Sequence, residues 1–529
     1  MRHLLIITLL LLFGLVANAQ QFIESYPATP SVRASKELAN RNLDYEFVGF
    51  PINELVKAIT KRQNTIRVKL GKQIDDVWTV QEDELNYYNL GIDKWDDAGN
   101  RFSNVPVCET FSATSQNSNV RVRFTININA ELSGFVHDLK TNVMIHFRSI
   151  SLMTTSKEKD SEKNTVAIYS EKLSAGANQQ ATSISPPLTP CNTNWLVLAI
   201  ETDDEYSFSS NVPLASIMQE VDYVMSLNLG MRVYYKKFNW TQGTPGYPYN
   251  NVPTIAVPNT SPTAFRTIES DMFQRFIDNG WAKNQICNMG HLLTGRKLRN
   301  PLYGNSGGYS NFSSSICGGQ LPLSMSSTEY ISIEQIARTI VHELGHNLAG
   351  DTAHDDNCST TYNPANPTPN TLMCTYMITD PNSGEGGRGI YFTSNYINNI
   401  NNKLAPNIGC LTAGSTLNFG QAFYNGVAIN STPYFTSSRN GTLTVDMESF
   451  SSASSPSFTV GVTPTSVYLG NPYTVLVEFP KWIGGVQTNA PSNVNNATFN
   501  IQASNACQTI IRSIPIVYGA GYRLYPNPT

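Results

Sequence analysis

The sequence predicts an α/β domain built on a twisted, mostly parallel sheet and set between two β-rich segments. Three observations carry this. From Asn194 onward, apolar strand-like runs alternate with helix-periodic ones, the order that gives a parallel sheet with helices on its faces. Before about residue 190 the chain shows short runs of period-two alternation, the signature of half-buried strands. Beyond Leu411 helical periodicity disappears.

Taken in order, Arg2 and His3 precede an apolar run from Leu4 to Val16, and Ala17-Asn-Ala19 follows. That is the pattern of a secretory signal over residues 1–19, too short for a comfortable membrane span. Residues 20–190 contain the strand-like runs Thr65–Leu70, Val120–Ile126, Phe135–Asp138 and Val143–Phe147, with a charged loop at Lys157–Lys163. Ser174–Pro190, rich in Ser, Gln, Pro and Ala, reads as a linker. The α/β domain spans 191–412. Its strands are Trp195–Ile200, Met231–Tyr235, His291–Thr294 and Gly308–Cys317; its helices are Leu214–Leu227, Phe265–Trp281 and the segment after Ser332. Residues 413–515, with runs at Thr442–Val445, Phe458–Val462, Thr474–Phe479 and Ala497–Gln502, have the composition of a β-sandwich. Residues 516–529 form a linker and terminal segment.

Composition narrows the function classes. The net charge is −4 and charged residues make up 14% of the 529, with no basic stripe to suit nucleic acid and no polybasic segment to suit a membrane surface. The eight cysteines are Cys108, Cys191, Cys287, Cys317, Cys358, Cys374, Cys410 and Cys507. In an exported chain they point to disulfides, whose pairing spacing does not give. With no CxxC pair, a cysteine-bound structural zinc is not expected.

Three of the seven histidines fall in the run His342-Glu-Leu-Gly-His346 and at His354. Two histidines four residues apart share one face of a helix, the geometry that holds a zinc ion, and Glu343 between them is placed to act on water. Ser332 with Gln335 predicts a capping box. Ile333, Ile336, Ala337, Ile340, Val341, Leu344 and Leu348 form an apolar stripe, which sets the two histidines at its edge in a part-buried position.

The run from His342 to Leu348, followed by His354-Asp-Asp-Asn-Cys358, resembles the active site of reprolysin (adamalysin-type) metalloproteases of the metzincin clan. Further segments are similar in the same order: Gly290–Gly295, Gly308–Cys317 as the edge strand, Leu372-Met-Cys374 as the Met-turn with Met373 beneath the metal (Met377 being an alternative), Phe392–Asn395 and Gly409–Leu411. The resemblance covers about 195–411. More weakly, Cys108–Thr114, Ser118–Phe124 and Leu132–Val136 follow the order of reprolysin propeptides, which makes 20–190 a latency segment or an accessory β domain. Tyr525-Pro-Asn-Pro528 resembles the opening of a type IX secretion sorting domain, which implies that machinery as a partner.

What the resemblance implies is a secreted zinc metalloendopeptidase acting on protein or peptide substrates. One catalytic zinc would be held by His342, His346 and His354, with Glu343 as general base. The alternative is a catalytically idle protein that keeps the fold for adhesion. The third histidine of the family lies six residues after the second, and here His354 lies eight after His346; either the turn is enlarged or Asp351 supplies an oxygen ligand. The family's calcium site is in doubt, since Val197 and Asn288 stand where carboxylates are usual. The resemblance implies disulfides Cys317–Cys410 and Cys358–Cys374. Cys191 and Cys108 are candidates for a latency thiolate, or for structural disulfides.

Overall fold

The computed structural model describes residues 21–404 apart from 40–43, 61–64, 83–93, 96–100, 103–107, 118, 128, 155–163, 174–193, 210–213, 241–244, 258–263, 285–286, 302–303, 312–315, 317–320, 329–331, 351–353, 356–370 and 375–388; beyond 404 it describes short strands. The expected signal and the Ser174–Pro190 linker lie outside these residues.

The N-terminal unit runs from β1 (Gln21–Glu24) and β2 (Tyr26–Pro27) through α1 (Val32–Ala39), β3 (Glu46–Gly49), α2 (Ile52–Thr60), β4 (Thr65–Leu70) and β5 (Ile74–Glu82). It continues through β6 (Cys108–Ser115), β7 (Val120–Asn127), β8 (Leu132–Asp138), β9 (Val143–Ser149) and β10 (Thr165–Lys172). The ten strands form one sheet in the order β1-β4-β5-β6-β7-β8-β9-β10-β3-β2. Its two outermost strands, β1 and β2, are separated in sequence by Ser25 alone, so the sheet curls back to a nearly closed barrel. Alternation along each strand sends Val122, Phe124, Val136, Phe147, Val166 and Ile168 to the interior, where α2 adds Ile52, Leu55 and Ala58. The intervening residues face outward.

The second unit contains β11 (Asn194–Thr202), α3 (Leu214–Leu229), β12 (Met231–Asn239), β13 (Thr254–Ala256), β14 (Phe265–Ile268), α4 (Glu269–Asn279) and β15 (Met289–Thr294). β16 (Leu298–Asn300), β17 (Gly304–Ser306), β18 (Gly308–Ser310), β19 (Leu323–Ser327), α5 (Ile333–Ala349), α6 (Ser394–Leu404) and β20 (Thr412–Ala413) complete it. The main sheet has the order β12-β11-β15-β19-β18, with β20 also paired to β11. The first four strands are parallel, and β18 runs antiparallel to β19 at the edge. A smaller sheet, β13-β14-β16-β17, lies beside it.

Two expectations are corrected here. Phe265–Trp281 is not one helix: Phe265–Ile268 pairs with β13 and β16, and α4 begins at Glu269. The β-branched pair Thr267-Ile268 suits a strand, while Glu269 and Asp271 in the first turn suit a helix N-terminus. The strand expected over Gly308–Cys317 is described only at Gly308–Ser310, extended by a bond from Asn311 N–H to Leu323 O (2.9 Å).

The C-terminal strands are antiparallel. Five of them pair in the order Ser466–Val467, Gly441–Glu448, Ala497–Ser504, Thr509–Tyr518, Leu524–Pro526, and Thr459–Thr463 pairs with Thr474–Glu478. The boundary expected at 515 falls inside Thr509–Tyr518, which pairs with Leu524–Pro526 through Val517 and Tyr525. Among the described residues, no helix is long and apolar enough to cross a membrane.

Candidate metal centre

Helix α5 is the element that builds the site. Ser332 caps it, its hydroxyl accepting from Gln335 N–H at 3.2 Å. Gly350 ends it in the left-handed conformation (φ 64°) and donates its N–H to His346 O at 2.7 Å. The apolar stripe lies in the core between α5 and the parallel sheet, as its spacing predicts. The histidines, expected at a part-exposed edge, are instead buried, as is every residue of α5. Barrel residues cover the first turns of α5 at Glu334 and Arg338, and the turn at Leu372–Cys374 and the edge strand at Gly308 lie against its histidine-bearing part.

His342 Nε2 and His346 Nε2 stand 3.1 Å apart. His342 Nδ1 lies 2.7 Å from Leu372 O. A carbonyl can only accept, so Nδ1 carries the proton and Nε2 presents its lone pair. A backbone carbonyl fixing the tautomer in this way is a usual support for a metal-bound imidazole. His354 completes the group: one nitrogen from each ring lies within 4.8 Å of the other two. The ring centroids are 4.6 Å (His342–His346), 5.2 Å (His342–His354) and 4.7 Å (His346–His354) apart. Three imidazole nitrogens converging at one place, two of them from buried rings and the third from the more exposed His354, fit a divalent cation of the zinc type. Asp351 lies outside the described residues.

His354 is brought in by its neighbour. Asp355 N–H donates to Met373 O at 3.0 Å, and the Asp355 carboxylate accepts from Thr371 Oγ1 and, at 3.3 Å, from Thr393 Oγ1. An isolated parallel bridge joins Asp355 to Cys374. The turn at Leu372–Cys374 is fully buried beneath α5. It comes close because Gly345 has no side chain: a Cβ there would stand 3.0 Å from Met373 Sδ and 3.0 Å from Phe392 Cε1. Met373 thus packs through its sulfur against α5 at Gly345, the residue next to His346. Glu343 is buried, with Oε1 4.0 Å from His342 Nε2. Its carboxylate rests against the edge strand at Gly308.

Gly308 and Gly345 lie in segments that the sequence singles out, but nothing there marks either glycine as a point of close approach, and the partner of His342 is a carbonyl, which has no side-chain signal. Of the cysteines, Cys374 is disulfide-bonded. Cys191, Cys317, Cys358 and Cys410 lie outside the described residues, as does Met377, and of Cys108 only the strand is described. Val197 and Asn288 are bonded to each other: Val197 N–H donates to Asn288 Oδ1 at 2.7 Å, and Asn288 N–H to Val197 O at 2.8 Å.

Two further buried groups lie in this unit. Glu201 accepts from Tyr249 OH, Ala282 N–H (2.7 Å) and Trp240 Nε1 (3.3 Å). Burial nevertheless pushes its carboxyl up to about 7. His291 Nδ1 lies 2.7 Å from Ser324 Oγ, and burial lowers the imidazole to about 3, so it is neutral.

No family model matches the chain, and no curated protein matches it. It is similar to a number of solved structures, three of which follow. Archaemetzincin from Methanopyrus kandleri is 14% identical, with 42% of this chain and 99% of that one covered and a TM-score of 0.27. Metalloproteinase-II from Bacteroides fragilis is 12% identical, with 69% and 97% covered and a TM-score of 0.36. Archaemetzincin from Archaeoglobus fulgidus, complexed with malonate, is 10% identical, with 39% and 99% covered and a TM-score of 0.22.

Proposed function

We propose that the protein is a secreted zinc-dependent endopeptidase, with His342, His346 and His354 holding the metal and Glu343 acting as general base. The observation that carries this reading is the convergence of three imidazole nitrogens beside one buried carboxylate. Zinc, when bound, supplies a Lewis acid that acidifies water and polarises a carbonyl. Glu343 would take a proton from water in the site and later hand it to the leaving amine. His342 is kept in the required tautomer by Leu372 O, and the sulfur of Met373 gives the group a dry floor. The substrate lies extended along β18, the outermost strand of its sheet, whose backbone can pair with one more strand. Residues 20–190 serve as a latency segment. Export through the signal at 1–19, and the type IX machinery through Tyr525–Pro528, belong to the same reading.

The test is casein hydrolysis by the purified protein with and without chelator, and by Glu343→Ala. Zinc restores activity after chelation, and Glu343→Ala binds zinc in equal amount yet does not cleave. Hydrolysis by Glu343→Ala at the wild-type rate removes the general base from the scheme.

A further inference from the structure

The group that fixes the tautomer of His342 is a backbone carbonyl, so its place depends on whatever holds that piece of backbone. Leu372 O accepts from His342 Nδ1 at 2.7 Å, and Leu372 N–H donates to Tyr391 O at 2.8 Å. Tyr391 belongs to the short run Ile390–Thr393 that leads into α6. Two more supports of the histidines rest on the same run. Thr393 Oγ1 donates to the Asp355 carboxylate at 3.3 Å, and Phe392 Cε1 lies 3.0 Å from where a Cβ of Gly345 would stand.

Asn228, on the last turn of α3, grips this run. Its Nδ2 donates to Val224 O and to Ile390 O, both at 2.7 Å, and its Oδ1 accepts from Phe392 N–H at 2.9 Å. A primary amide offers two donors and an acceptor in one plane, and Asn228 uses all three. One hydrogen returns to its own helix and fixes the side chain. The other hydrogen and the oxygen take the carbonyl before Tyr391 and the N–H after it, the two groups a parallel strand would bond there. Among the described residues, Asn228 is the side chain bonded to the backbone of Ile390–Phe392. The tyrosine hydroxyl is tied separately, to Asn142 Oδ1 at 2.7 Å. The helix that carries Asn228 is itself anchored: Val221, Val224 and Met225 pack in the core, and Gly230 (φ 62°) ends it with an N–H donated to Ser226 O at 3.1 Å.

Groups that orient a metal ligand through its second nitrogen govern affinity although they never touch the metal. We propose that Asn228 is a positioning residue for the metal centre. By gripping Ile390 and Phe392 it sets the Tyr391 carbonyl, through that the Leu372 peptide, and so the proton on His342 Nδ1 and the lone pair on Nε2. Aspartate cannot replace it: a carboxylate keeps the acceptor for Phe392 N–H but turns lone pairs toward the carbonyls of Val224 and Ile390. The effect on zinc rests on His342 being a ligand, as proposed above; the effect on the imidazole does not.

The experiment reads the ring nitrogens of the full chain, labelled with ¹⁵N-histidine and free of metal, by NMR, with the His342 signals identified by their loss in His342→Gln. The wild type shows His342 as the single tautomer protonated at Nδ1, and Asn228→Ala shows a mixture of the two tautomers. In a competition titration against a chelating dye, the zinc dissociation constant of Asn228→Ala rises about tenfold. Ser226→Ala is the control: it removes a hydroxyl that donates to Tyr223 O at 2.8 Å on the same end of α3, and both readings stay at wild type. Where Asn228→Ala does not fold, Asn228→Asp is used, with the same directions expected. A folded Asn228 variant that keeps the single tautomer would overturn the inference, as would a Ser226→Ala protein that shifts both readings as far as Asn228→Ala does. A wild type that takes up no zinc would count against the metal site alone, and the tautomer shift in Asn228→Ala would still decide for the grip on His342.

Discussion

Gly308 lies against the carboxylate of Glu343: a Cβ at position 308 would stand 2.6 Å from Glu343 Oε1 and 2.8 Å from its Cγ. The edge strand and the acid beside the histidines therefore fit together only because residue 308 has no side chain. Gly308→Ala forces the carboxylate, the strand or both to move. A displacement of about 1 Å at a reacting group can cost roughly a hundredfold in rate. In Gly308→Ala, kcat for a peptide substrate falls between about tenfold and a hundredfold, with zinc content and fold unchanged. Steady-state kinetics beside metal analysis checks this; an unchanged kcat would show that the contact does not position Glu343.

Asp355 fastens His354 to the Met373 turn through a backbone bond and two threonine hydroxyls. Losing such a support typically weakens a metal site by about 10–100-fold. Asp355→Ala lowers zinc affinity by that factor, and His354→Ala lowers it further, in a competition titration against a chelating dye. Asp351→Ala stays within about twofold of wild type if imidazole is the third ligand. A larger loss in Asp351→Ala than in His354→Ala would assign the third ligand to Asp351.

Trp195–Ile200, Leu214–Leu227, Met231–Tyr235, His291–Thr294 and the helix after Ser332 are legible because each apolar run packs against the sheet or the helix beside it, whereas the central strand Leu323–Ser327, with three serines in its five residues, carries no such pattern. The capping at Ser332 and the shared face of His342 and His346 were legible for the same reason, being set within five residues. What escaped the sequence depends on partners far along the chain. Glu334 and Arg338 of α5 meet Arg148 and Glu171 of the barrel, 186 and 167 residues upstream, pairings that no local pattern announces. The tautomer of His342 rests on the carbonyl of Leu372, which any residue would supply. The strand at Phe265–Ile268 was hidden because its apolar residues continue the helical spacing of α4, and its pairing to β13 and β16 decides the outcome.

His137 links the two units, its Nδ1 2.5 Å from Tyr223 OH and its Nε2 3.2 Å from Asn142 Oδ1. Asn142 Nδ2 donates to Leu173 O at 3.0 Å and Tyr391 OH donates to Asn142 Oδ1 at 2.7 Å. Oδ1 therefore accepts, Nε2 carries the proton, and Nδ1 accepts from the tyrosine. Burial lowers the imidazole to about 4, below its ordinary value near 6.5. The unfolded chain takes up the proton first, so this contribution to stability is complete above pH 6.5 and is lost as pH falls toward 4. In urea denaturation the wild type loses more stability between pH 7 and pH 4.5 than His137→Gln does, by about 2 kcal/mol. Parallel losses in the two proteins would mean that His137 is not kept neutral.

Glu201 gives the opposite slope. Burial raises its carboxyl to about 7 in spite of the bonds from Tyr249, Ala282 and Trp240. The unfolded value is near 4.3. Between those values the folded protein holds a proton that the unfolded chain has released, so this group's contribution falls as pH rises from about 4.3 to about 7 and is level above that. His137 and His291 act in the reverse sense over part of this range, which is why the difference between variant and wild type is the quantity to measure. Glu201→Gln keeps the shape and most of the bonding capacity but does not titrate. Relative to wild type it gains about 2 kcal/mol between pH 5 and pH 8, read from denaturant midpoints at constant m. A difference that stays flat across that interval would place Glu201 in its charged form throughout, with the three donors outweighing burial.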